Sequence, residues 1–221
     1  MARRHIGAAL LILLMALRVV YAQHVLDLTT VPKPPVELGT TFSTGFISIS
    51  SEGQAWIPVQ VTLVDVNTVD NQPYYVGGPI VFTVAIKSLA DVPLAIPWTR
   101  WRSDHAALER AATPDQPLYW SDISLDTRDG DGALRTLGSV RLEGTRAVPT
   151  SIQILAPGET ATIRVPGVIF LEQTERERIL GGRSSGTVTV RAGFGLEAQP
   201  NYGNSVQSNN AVEILLHASK P

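Results

Sequence analysis

The sequence predicts an all-β protein, an antiparallel sandwich with an inserted segment that contains a helix. Two observations lead there. Pro58 to Val66 and Ile80 to Ile86 alternate apolar and polar residues, and side chains two apart share one face of a strand. Turn chemistry then separates a series of further short β-type runs, the spacing expected of a sandwich.

The elements follow in order. In the first run Val59, Val61 and Leu63 point one way, and Gln60 and Thr62 the other. Gly77-Gly78-Pro79 turns the chain into the second, where Ile80, Phe82, Val84 and Ile86 form the apolar row. Pro93 to Pro97 is a short strand, and Leu118 to Leu125 a longer one. Asp129-Gly130-Asp131-Gly132 is a turn before Leu134 to Leu142. Thr150 to Leu155 leads to the turn Ala156-Pro157-Gly158-Glu159, and Thr160 to Phe170 follows it. Gly186 to Phe194 alternates through Val188, Val190 and Ala192, and Ala211 to His217 closes the chain. Two helical pieces interrupt the strands. Ser103 or Asp104 can cap the first, which Pro114 ends. Glu172 to Leu180 is the second, terminated by Gly181-Gly182.

Leu155-Ala156-Pro157-Gly158-Glu159-Thr160, Gly186-Thr187-Val188-Thr189-Val190-Arg191-Ala192 and Ser208-Asn209-Asn210-Ala211-Val212-Glu213-Ile214 together resemble the second half of bacterial immunoglobulin-like domains. The Ile80–Pro97 segment is similar to their central strand pair. The likeness covers about Trp56 to His217 and implies an immunoglobulin-like sandwich over residues 56–221. Such folds host many functions, so the resemblance brings no catalytic residues with it. The chain lacks the two cysteines of antibody domains, and its insertion, about Trp98 to Asp131, is larger than a minimal sandwich needs.

Residues 1–22 read as an export signal. Arg3-Arg4 is followed by an apolar run, Ile6–Leu17, and by Val20-Tyr21-Ala22 as a cleavage site. The run is too short to span a bilayer, which takes about 20 apolar residues. With no cysteine to carry a lipid, the expected product is periplasmic or secreted, with no membrane span. Residues 23–55 read as a tether and a loose N-terminal segment, with prolines clustered at Val31-Pro32-Lys33-Pro34-Pro35. Loss of Arg3, Arg4 and Arg18 with the signal takes the formal charge from −2 to −5. An acidic chain argues against nucleic acid, which is bound by clustered Lys and Arg. The absence of cysteine rules out disulfides, thiolate nucleophiles and Cys-ligated metal.

Five features bear on possible chemistry. Trp98, Arg100, Trp101, Tyr119 and Trp120 fall within the insertion. They could form an aromatic platform for sugar rings or for a partner's apolar patch, or they could pack as core. Asp126, Asp129 and Asp131 could hold calcium, the one cofactor the sequence suggests, or merely shape a hairpin turn. Gly182-Arg183-Ser184-Ser185-Gly186 matches the pattern of a serine-hydrolase elbow, but a strand follows the serine where the elbow needs a helix. His24, His105 and His217 are scattered without metal-ligand spacing. The long segment Gly195–Asn210 is a candidate binding loop. The expectation is a non-catalytic exported module whose partner is another envelope protein or a glycan. A carbohydrate-binding protein and a hydrolase using Ser184 are the alternatives.

Overall fold

A computed structural model describes residues 24–28, 59–91, 93–197 and 203–221. The export signal, most of the tether and the loose segment lie outside the described residues.

The all-β expectation holds. The strands are β1 (His24–Asp27), β2 (Val59–Thr68), β3 (Tyr74–Tyr75), β4 (Pro79–Ser88), β5 (Leu94–Pro97) and β6 (Thr99–Arg100). After helix α1 (His105–Ala111) come β7 (Tyr119–Arg128), β8 (Leu134–Gly144), β9 (Ile152–Leu155) and β10 (Thr160–Val168). After helix α2 (Gln173–Leu180) come β11 (Ser185–Glu197), β12 (Gly203–Gln207) and β13 (Val212–His217).

One sheet has the order β1-β10-β4-β2. A larger one runs β3-β13-β11-β7-β8-β6, with β12 also paired to β11. β5 and β9 form a separate ribbon. The sequence predicts antiparallel pairing, but the sheets are mixed. β1 runs parallel to β10, and β3 parallel to β13. Both are short edge strands added to longer antiparallel ladders.

The apolar rows read from the sequence face inward. Val61, Leu63, Phe82, Val84 and Ile86 from one sheet join Ile123, Leu125, Leu142, Val190 and Phe194 from the other in a single buried cluster. The helices end as their residues dictate. In α2 the Glu172 N–H donates to the Glu175 side chain at 3.2 Å, and Gly181 takes φ 61° to close the last turn.

Two segments differ from the sequence expectation. His24–Asp27, placed in the tether, is a strand of the smaller sheet, and Leu28 beyond it is 1% exposed. Four residues are too few for alternation to show against the prolines that follow. The Gly195–Asn210 segment is not one long loop. β11 runs on to Glu197, and β12 returns along it from Gly203.

The open edge of β2 is closed by a side chain. The Asn210 amide accepts from the Leu63 N–H at 2.9 Å and donates to the Leu63 carbonyl at 2.7 Å, as a neighbouring strand would. The Asn209 N–H adds a bond to the Val61 carbonyl.

Candidate functional site

The features of most chemical interest lie on the outer face of β7 and β8. Their register pairs Trp120 with Glu143 and Asp122 with Arg141. Opposed residues in an antiparallel pair share a face, so these four side chains lie together. The alternate residues Ser121, Ile123, Val140 and Leu142 face the core.

A bulge decides this. The pairing shifts between Leu125 and Asp126, and Leu137 is the extra residue. Continuing the hairpin register without it would place Val140 opposite Asp122 and turn Arg141 inward. Leu137 is fully buried, and the apolar positions change parity between it and Val140. That change of parity is the one sign of the site in the sequence of β8.

Arg141 organises the cluster. Its guanidinium makes a two-point contact with Asp122, Nε to Oδ1 at 2.8 Å and Nη2 to Oδ2 at 3.1 Å. The same guanidinium lies 5.6 Å from the Trp101 ring centre and 5.7 Å from that of Trp120. Both distances fall within cation–π range. Trp101 reaches the cluster from the end of β6, with its N–H bonded to the Arg141 carbonyl. Its ring also meets His105 at 4.5 Å between centres.

His105 begins α1 and fastens that helix to the sheet. Its Nδ1 lies 2.9 Å from Oε2 of Glu143, whose side chain is fully buried. Burial pushes the Glu143 carboxyl up, against the pull of His105 and Arg141, and Glu109 adds to the rise. Leu108, three residues on and so on the same side of the helix, is its buried anchor.

The structure separates the residues grouped from sequence. Trp101 and Trp120 are half-buried on or beside this face, whereas Tyr119, also half-buried, alternates with Trp120 and lies on the side of Ser121. Trp98 is also half-buried but packs against the core cluster. Arg100 pairs with Leu142 and so lies toward the inner side of the sheet. Burial lowers its pKa. Its Nη1, the Trp120 Nε1 and the Ser121 hydroxyl have no hydrogen-bond partner among the described residues. Arg141, Asp122, Glu143 and His105 were not singled out together from sequence, because the β7–β8 pairing and a helix contact bring them together.

Two of the three aspartates proposed for calcium take other partners. Asp126 is 1% exposed and accepts from Ser124 at 2.7 Å, Thr136 at 2.8 Å and Gln207 at 2.9 Å. Asp129 accepts from the N–H groups of Asp131 and Ala133 and from Arg135, which organises the turn. Asp131 is exposed. Among the described residues no group of three or more His, Asp or Glu side chains is placed to hold a metal. Ser184 is exposed at the junction from α2 to β11, so a helix precedes it and a strand follows, the reverse of a nucleophile elbow.

These carboxylates give a pH dependence with a definite sign. Burial raises Asp126, against its hydrogen bonds, and raises Glu143. Each binds its proton more tightly when folded, so each adds stability as pH falls through its raised native value. Asp129 and Glu159 act oppositely. Burial works to raise Asp129, but bonds from Ala133, Arg135 and Asp131 outweigh it, and the Ala156 N–H chiefly lowers Glu159. Their stabilisation is present above the ordinary carboxylate value and is lost as pH falls through their lowered native values. Melting temperature should therefore rise from neutrality into the mildly acidic range and then fall. Asp126→Asn should flatten the rise, and an unchanged profile would contradict this account of Asp126.

No family model and no curated protein matches the chain. Solved structures similar in part include the alkylpurine DNA glycosylase AlkC of Pseudomonas fluorescens bound to DNA containing an abasic-site analogue. It is 13% identical with a TM-score of 0.33, over 73% of this chain and 31% of that one. The C-terminal domain of wzt is 8% identical with a TM-score of 0.35, over 75% and 77%. A β-glucosidase of Listeria innocua is 11% identical with a TM-score of 0.30, over 85% and 20%. The chain thus spans about a third of the glycosylase and a fifth of the glucosidase. Likenesses this slight assign neither family nor activity, and function rests on the chain's own side chains.

Proposed function

We propose that the protein is an exported, non-catalytic binding module on an immunoglobulin-like sandwich. Its ligand would be another envelope protein or a glycan. The strand order supports the fold assignment. The neighbours β2-β4-β10 and β13-β11-β7-β8 follow the A-B-E and G-F-C-C′ orders of that architecture. The basic and apolar N-terminus supports export.

The observation that carries the binding assignment is the half-buried Trp101–Arg141–Trp120 group on the outer face of β7–β8. Tryptophan, tyrosine and arginine dominate binding hot spots, the two aromatics because they offer large contact area with little entropy to lose. Asp122 holds Arg141 in place, so the surface is ordered before a ligand arrives. The arrangement departs from an open sugar platform, since a cation already lies over both indole rings.

Two arms test the proposal. Tryptophan emission should shift saturably with a glycan from a panel of neutral and acidic sugars, and Trp120→Ala should abolish the shift. For a protein ligand, a photo-crosslinking amino acid placed at Ser139, exposed beside Arg141 on the same face, should yield one discrete envelope adduct that is lost in Arg141→Ala. A flat panel together with no adduct overturns the proposal.

A further inference from the structure

We infer that His105 and Glu109 form a site for a divalent transition metal of the zinc or copper class. They stand four apart on α1, so their side chains leave the same face of the helix. His105 Nε2 lies 3.7 Å from Glu109 Oε2. A tetrahedral zinc with bonds of about 2.0–2.2 Å to nitrogen and oxygen sets such donors roughly 3.3–3.5 Å apart. A small rotation of the Glu109 side chain, which is 72% exposed, closes the difference.

The second support lies behind the imidazole. Nδ1 is 2.9 Å from a carboxylate oxygen of Glu143, which is itself fully buried. When Nδ1–H donates to that carboxylate, the Nε2 lone pair is left facing Glu109. Carboxylate–histidine–metal triads use this arrangement to fix the tautomer and raise the basicity of the ligand. Trp101 packs against the ring and further limits its rotation. The protein supplies two donors, so water or a donor from a docked molecule completes the coordination. Imidazole with a carboxylate suits zinc and copper better than calcium, which prefers six to eight oxygens. This site does not depend on the binding module proposed above.

The adjacent indole makes the test direct. Cu²⁺ at His105 would sit beside Trp101 and quench its emission. Cu²⁺ should quench saturably with one equivalent bound, and Zn²⁺ should compete and give a one-site calorimetric isotherm. Glu109→Gln, a change at an exposed side chain, should weaken both by at least tenfold without moving the melting temperature of the metal-free protein. His105→Ala should abolish both. Quenching that is linear in Cu²⁺ with no Zn²⁺ heat, or saturable binding that survives both substitutions, overturns the inference.

Discussion

Gly193→Ala is expected to destabilise the protein by about 3 kcal/mol, a fall in melting temperature of roughly 6–12 °C for a chain of this size. Gly193 lies on β11 opposite Ser124 on β7 and Gln207 on β12. Its missing side chain is what lets Gln207 reach across the strand to Asp126. A methyl group there would meet Ser124 Oγ, Asp126 Oδ2 at 2.7 Å and Gln207 Nε2 at 2.9 Å. It must push apart a buried carboxylate and two of its three side-chain donors. Unpaired buried polar groups cost about 1–3 kcal/mol each, so the loss exceeds that of a methyl squeezed into an apolar core. Thermal or urea unfolding measures it. A change below about 1 kcal/mol would show that Asp126 is not held by this network.

Asn210→Ala should cost about 2 kcal/mol by the same measurement. The substitution removes both bonds to the Leu63 backbone and reopens the edge of β2. Asn210→Asp gives the sharper test. A carboxylate can still accept from the Leu63 N–H but cannot donate to the Leu63 carbonyl, and it sets a charge against that oxygen. It should be at least as harmful as alanine. If aspartate were neutral, the amide could not be acting as a substitute strand.

Both effects rest on contacts far apart in sequence, and this separates what could be read from the chain from what could not. The alternation in Val59–Leu63, Ile80–Ile86 and Val188–Ala192 made the strands and their buried faces legible, because a period of two has one simple explanation. Gly181 and Asp129-Gly130-Asp131-Gly132 marked turns, since their chemistry is local. The short edge strands β1, β3 and β6 were not legible. They exist because a longer strand's open backbone recruits them.

The candidate site divides in the same way. Trp101 and Trp120 drew notice by residue type alone. Whether they would pack inward or outward depended on facing, and facing on β8 depended on one bulged residue, Leu137. A slip of one position turns every later side chain to the other side of a sheet. Arg141 reaches the two indole rings, and Glu143 reaches His105, only after that slip. The chain by itself determined an all-β protein with an aromatic insertion. The tertiary structure decided that those aromatics join an ordered cluster of ring and charge across β7 and β8, because pairing and the bulge, rather than composition, bring Asp122, His105, Arg141 and Glu143 to one face.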